Sequence, residues 1–392
     1  MDHSLTAQQM RVRQQQILDL ASGYPTLPIS GFFSSLKTQA TAEVLHALSA
    51  NAHKTYKSEI GLAEAALLTR LAFVLGLDSK QHSLQTAITG SIAISRILTA
   101  LIELSRDRGK SGVHLITASP FFDLPILLAD EIRGFRRSTV FRNLPEGRLP
   151  FDKLREVLNT TRIDEMAVIL VASPDNPTGS VWSAREISSL RAICASTNAI
   201  LFVDHCFLLA GVQTPFSVPA VWECCEDNCE WVSIWDTGKT LALGGEKIAV
   251  TISNSKELNK KIKQALEVVQ FELPLNTLLL FSKIFADEHW KDEVHRLHEV
   301  CVRNYNRLSR TNLGQCCIYK PEGSTLVLVE LRNKHEKGAS EVFEGNGVGV
   351  ISGRPFFCPG HNSPALIRIS LARDDDYFCE ALEKLTVALK DC

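Results

Sequence analysis

The sequence predicts an α/β protein, with a large domain built on a mostly parallel sheet sandwiched by helices and a smaller α+β domain. Two observations carry this. Short apolar runs alternate with longer stretches of helical spacing through the middle of the chain, and the pattern changes character over roughly the last hundred residues.

The apolar runs are VHLIT (113–117), MAVILVA (166–172), AILFVD (199–204) and KIAVTIS (247–253). Near-continuous valine, isoleucine and leucine over so short a length is the pattern of strands buried on both faces. Between them, FDKLREVL follows Pro150, and SAREISSLRAICAST opens at Ser183, which forms a capping box with Glu186. Such alternation implies right-handed crossovers, and so a parallel sheet covered on both faces. Further on, a long amphipathic stretch runs from about Leu258 to Leu308. STLVLVEL (324–331) and ALIRISLA (365–372) read as strands, and FCEALEKLTVALK closes as a helix. Residues 1–40 are expected to pack with the small domain, 41–285 to form the large domain and 286–392 the small one, with the long helix as the bridge.

The composition is compatible with this size of fold. At 392 residues and 45% hydrophobic content the chain can bury one large core or two smaller ones. Its 42 basic and 44 acidic residues leave no electrostatic footprint for nucleic acid or an anionic membrane. The 11 cysteines are odd in number and irregular in spacing, which fits a reducing cytoplasm better than a disulfide framework. Cys224, Cys225 and Cys229 lack the paired spacing and nearby histidines of a zinc site, so no metal is expected. The start, MDHSLTAQQMRVRQQQ, has no apolar signal-peptide core, and no apolar stretch approaches the ~20 residues that span a bilayer.

No G-x-G-x-x-G follows a strand and no Walker A loop occurs, which leaves nicotinamide and nucleoside-triphosphate chemistry unsupported. What stands out is a series of polar residues at strand ends, where open α/β sheets bind ligands. SPDNPTG (173–179) follows MAVILVA, and Asp204 ends AILFVD. Lys239 lies in SIWDTGKTLALGGEK, and Arg368 sits in the strand ALIRISLA. Each has a plain reading as well: a turn, a cap, a solvated lysine. The arginine is different, because a guanidinium in a half-buried strand needs an anionic partner.

In this order and spacing, from DLASGYP near residue 20 to Arg368, the set resembles the fold type I pyridoxal-phosphate enzymes of aminotransferase class I/II. The resemblance implies pyridoxal 5'-phosphate as cofactor, with Lys239 as the Schiff-base lysine and the base that removes the Cα proton. It implies that Asp204 pairs with the pyridinium nitrogen, Asn176 donates to the ring O3' and Arg368 clamps the substrate α-carboxylate. Phe122, in SPFFD, would stack on the ring or else pack in the core. Gly90 and Ser91, in TGSIAIS, would open a helix whose N–H groups hold the phosphate. Lys247 stands where the family usually has a phosphate-binding arginine, and Tyr24 falls on the substrate side. Tyr56 matches a tyrosine that reaches the phosphate from the partner subunit, which implies a homodimer with its active site at the subunit interface.

Two departures bear on the reaction. Where the family has a tyrosine three residues after the aspartate, Asp204 is followed by His205, Cys206 and Phe207. Where it has a phosphate-binding serine, three residues before the lysine, this chain has Asp236. The Asp-Thr-Gly-Lys loop with Asp-x-x-Phe resembles a subgroup acting on guanidino amino acids: the arginine oxidases and, more loosely, the capreomycidine and enduracididine synthases. That resemblance implies that Asp236 meets a substrate guanidinium; the alternative is that it caps the turn through Thr237 and Gly238. The oxidases carry a histidine where Tyr24 stands. The expected reaction is therefore non-oxidative: Cα–H abstraction from an arginine or hydroxyarginine type substrate, then elimination and cyclisation or deamination at Cβ/Cγ. His205 would assist as an acid or base, or else be bonded to backbone. A conventional aminotransferase using a 2-oxo acid acceptor, and an arginine oxidase using O2, are the alternatives.

Overall fold

The apolar runs form the middle of a seven-stranded sheet. This computed structural model describes residues 4, 8–10, 12, 17–54, 58–212, 214–224, 229–332, 339–358 and 364–391. The chain begins with β1 (Leu18–Asp19), α1 (Gly31–Lys54), α2 (Ile60–Val74), β2 (Ser83–Ala87), α3 (Gly90–Asp107), β3 (Gly112–Ser119), α4 (Leu124–Glu131) and β4 (Phe135–Phe141). It continues through α5 (Phe151–Leu158), β5 (Glu165–Ala172), α6 (Ala184–Thr197), β6 (Ile200–Asp204), β7 (Trp231–Asp236), β8 (Ala249–Ser253), α7 (Lys256–Gln270), α8 (Leu275–Ile284) and α9 (Trp290–Arg310). The last elements are β9 (Cys317–Ile318), β10 (Leu326–Glu330), α10 (Ala339–Gly345), β11 (Val348–Gly349), β12 (Ile351–Ser352), β13 (Leu366–Ser370) and α11 (Asp375–Asp391).

Across the large sheet the order is β2-β8-β7-β6-β5-β3-β4. Strands β3 to β7 pair in parallel, and β8 runs antiparallel to both its neighbours. A parallel pair needs a crossover of a dozen or more residues, usually helical; the connection from β7 to β8 is a turn-rich loop, so the chain reverses. Every residue of β3, β5, β6, β7 and β8 is buried, which is why these strands read as unbroken apolar runs. The capping box predicted at Ser183 is present, with Glu186 returning a bond to the Ser183 amide, an arrangement that contributes about 1 kcal/mol to the start of α6.

The amphipathic stretch from Leu258 to Leu308 is three helices, α7, α8 and α9, rather than one. Phe271 leaves α7 with a φ of 50°, and Pro274, which has no amide hydrogen to continue a helix, instead sets the entry into α8. Helix α9 buries Trp290 and Val294 in the core of the large sheet, and Leu297, Cys301 and Leu308 in a second core. That second core lies beneath the sheet β12-β13-β10-β9, and β1 pairs in parallel with β11 beside it.

Register aligns the ends of the central strands. Ala172 pairs with Asp204, Asp204 with Ile234, and both Asp236 and Ala87 stand across from Ala249. The loops after β5, β6 and β7 and the turn from β2 into α3 therefore meet at one edge. Among the described residues no helix is long and apolar enough to cross a membrane, and no group of three metal-ligating side chains occurs. Cys224 and Cys229 are buried, and Cys225 lies outside the described residues.

Candidate active site

A cavity of about 200 Å³ opens where these strand ends converge. Asp236 ends β7 and a single 3-10 turn, Thr237–Lys239, follows. The Thr237 hydroxyl donates to the Ile248 carbonyl at 2.9 Å and accepts from the Ile248 amide at 3.0 Å, which pins the turn to the start of β8. Lys239 is thereby held inside the cavity. Burial lowers its pKa to about 8, against the attraction of Asp236, so a useful fraction is the neutral amine near physiological pH. Its Nζ lies 3.5 Å from the centroid of the Tyr24 ring, and Lys247 Nζ lies 4.2 Å from the same centroid.

Asp204, at the end of β6, accepts from the Cys206 amide at 2.8 Å. Burial raises its pKa to about 6, the bond from Cys206 works against that rise, and Asp236 adds to it. A buried carboxylate with so little compensation favours a cationic partner such as a protonated ring nitrogen. The SPDNPTG loop is turn chemistry and more. Asp175 forms a fully buried ion pair with Arg142 at 2.8 Å and accepts from the Thr178 hydroxyl at 2.7 Å. Those bonds hold Asn176 at the cavity wall, where its Oδ1 accepts from Arg368 Nη1 at 3.1 Å, leaving the Asn176 amide nitrogen to act as the donor.

Arg368 is 1% exposed, and its second nitrogen donates to the Ala21 carbonyl at 2.6 Å. Burial brings its pKa down to about 9, with Asp123 and Asp19 opposing the fall. A buried guanidinium with this surplus charge is suited to an incoming carboxylate. The segment that Arg368 touches is itself tied down by Arg373, which donates to the carbonyls of Asp19, Ser22 and Tyr24 at 2.6, 2.6 and 2.9 Å. Nothing local in the sequence marks that role.

The cavity is lined by Tyr24, Gly90, Ser91, Phe122, Asn176, Asp204, Asp236, Lys239 and Arg368. Phe122 faces the cavity while packing 4.8 Å from Phe121, ring centre to ring centre. Lys247 stands behind Tyr24 and is not among the lining residues. Tyr56 lies outside the described residues. His205 has the backbone partners of the second of its two expected roles: its Nδ1 bonds the Ser173 carbonyl at 2.6 Å and its Nε2 accepts from the Val221 amide at 3.1 Å. Both ring nitrogens are committed to backbone, and burial lowers the pKa to about 4, so the ring is a neutral structural bridge rather than an acid or base for the substrate. Asp236 takes the capping position weighed in the sequence: its Oδ1 accepts from the Gly238 amide at 2.9 Å, and its Oδ2 lies against Gly90.

Gln9, Asp123, Cys206 and Leu326 also line the cavity and were not singled out in the sequence. Asp123 directly follows Phe122, and that adjacency was an available signal. Gln9 and Leu326 arrive from distant parts of the chain, and nothing local marks them.

These residues fit pyridoxal phosphate: a buried low-pKa amine, a carboxylate for the ring nitrogen, an amide for the ring oxygen, an aromatic wall and a helix N-terminus for the phosphate. The fold and the site together define a pyridoxal-phosphate enzyme. The sequence profile for aminotransferase class I and II matches residues 129–385, and the chain belongs to that family. It is 22% identical to an aspartate aminotransferase of Streptomyces avermitilis, over 98% of this chain and 92% of that one. The α-aminoadipate aminotransferase LysN of Thermus thermophilus, solved with N-(5'-phosphopyridoxyl)-L-leucine, superposes with a TM-score of 0.76 at 19% identity, over 98% of this chain and 94% of that one. MppP, solved with its product 2-ketoarginine, superposes at 0.72 and 18% identity, over 95% of this chain and all of that one. At these identities the solved structures establish the fold alone.

Proposed function

We propose that the chain is an aminotransferase, moving the amino group of an L-amino acid to a 2-oxo acid. The reading rests on one observation above all: Lys239, Asp204, Asn176 and Arg368 converge on a single cavity, and Arg368 bonds Asn176 directly. The bound cofactor supplies the electron sink that lets the substrate Cα–H bond break. Arg368 orients the substrate by its carboxylate, and Lys239 takes the proton from Cα and returns it. Asp204 keeps its charge above about pH 6 and holds a ring proton in place. Tyr24 and Phe122 wall the site from water.

The cavity is rich in acids: Asp123, Asp204 and Asp236 line it, and Arg368 is its only arginine among the described residues. An acidic substrate side chain would find no second guanidinium there, so basic and apolar side chains fit better. This favours a second reading, a guanidino substrate of arginine type, with elimination or cyclisation in place of transfer. Against it stands the commitment of Asp236 to the Gly238 amide.

The test is a panel of L-amino acids incubated with and without a 2-oxo acid acceptor, with products identified by mass. Turnover that requires the acceptor, with one new amino acid formed per 2-oxo acid produced, supports transfer. Release of ammonia or water from arginine or hydroxyarginine with no acceptor supports the second reading and removes the first.

A homodimer is part of the proposal. Exposed apolar side chains, Ile88, Val268 and Phe271, lie beside the turn that leads into α3, where Gln270 bridges the Thr86 carbonyl and the Ile88 amide. Such a patch next to the site suits a second copy of the chain. Sedimentation should give twice the chain mass, and a monomer with full activity would argue against it.

A further inference from the structure

Asp236 occupies a position that the cofactor itself needs. Register places Ala87 and Asp236 across from the same residue, Ala249, so the turn after β2 brings the start of α3 beside Asp236. Thr89 caps that helix in extended conformation, its hydroxyl accepting from the Ile92 amide at 3.2 Å. Gly90, the next residue, opens the helix and lies directly against the Asp236 carboxyl group. Contact is close enough that a β-carbon at Gly90 would stand 2.8 Å from Asp236 Oδ2. Asp236 is 1% exposed, and its other oxygen is held by the Gly238 amide.

A helix N-terminus holds a phosphate through these same first amides and through its dipole. Here a carboxyl group belonging to the protein already lies against the first residue of the helix. We propose that Asp236 is an internal competitor for the cofactor phosphate, so that the protein holds pyridoxal phosphate mainly through Lys239 and Asp204 and only weakly through the phosphate. A carboxylate and a phosphate within a few ångströms repel, and the Asp236 side chain must rotate off Gly90 whenever phosphate is seated on the helix N-terminus. The phosphate should therefore add little affinity over the same ring without it. The inference depends on the cofactor chemistry of the family and is independent of which amino acid is the substrate.

The experiment measures dissociation constants of the cofactor-free protein for pyridoxal phosphate and for unphosphorylated pyridoxal. Quenching of tryptophan emission is the readout, since Trp235 adjoins Asp236. Wild type should prefer the phosphorylated form by less than about tenfold. D236S removes the competing charge and should tighten pyridoxal phosphate at least about tenfold while leaving pyridoxal within about twofold. D236N, which keeps the shape without the charge, should move in the same direction by less. If either variant folds and binds pyridoxal as wild type does but binds the phosphorylated form no better, Asp236 is not a competitor. Equal tightening of both ligands would overturn the proposal too, because the effect would then not lie at the phosphate.

Discussion

Arg368 donates to Asn176 Oδ1 at 3.1 Å, a bond between residues 192 positions apart that joins the expected carboxylate clamp to the expected ring donor. The expected substrate and cofactor contacts are thus mechanically linked. Replacing Arg368 by Lys keeps a charge but loses the planar fork, at a cost of about 2 kcal/mol, or roughly 30-fold in the KM for the amino acid. Cofactor affinity should fall much less. A KM unchanged in R368K would remove the clamp.

His205 offers a test with the opposite sign. Because both nitrogens serve backbone groups, H205A strands the Ser173 carbonyl and the Val221 amide and should cost about 2–4 kcal/mol in chemical denaturation. The pH profile of kcat should keep its shape. A vanished limb in that profile would restore an acid–base role.

The lowered pKa of Lys239, about 8, predicts how the cofactor-free protein takes up pyridoxal phosphate. Attack on the carbonyl requires the neutral amine, so the association rate should climb about tenfold per pH unit below 8 and level off above it. Stopped-flow absorbance checks this. A rate still rising steeply at pH 10 would place the pKa at its ordinary value.

Away from the site, Glu165 is held to a pKa of about 2, first by its hydrogen bonds from Arg136, the shortest at 2.6 Å. A carboxylate whose pKa is depressed on folding stabilises the folded state above its unfolded value, and that contribution is lost as pH falls through the folded one. Screening at this partly open pair reduces the effect to about 1–2 kcal/mol. E165Q should therefore lose about that much at pH 7 and show a flatter decline in stability between pH 4.5 and 2. Denaturant titrations across that window test it.

Much of this was legible in the sequence where burial is complete. The runs at 113, 166 and 199 became strands because both faces are covered, and β2 and β4 escaped notice because they are edge strands with mixed exposure. Lys239, Asp204 and Asn176 stood out because strand ends are where such sheets bind ligands, and Arg368 because a guanidinium within a buried strand needs an anionic partner. His205 was open between two roles because its partners, Ser173 and Val221, lie 32 and 16 residues away and no local pattern announces them. Arg373 and Gln9 escaped for the same reason: their roles exist only once distant segments meet.

The central claim is that Lys239 carries the cofactor. Reduction of the cofactor-loaded enzyme with borohydride, followed by peptide mapping, tests it most directly. The account predicts one phosphopyridoxyl group, on Lys239 in the segment WDTGK. Label on Lys247 alone, or no label on a protein that binds the cofactor, would contradict it.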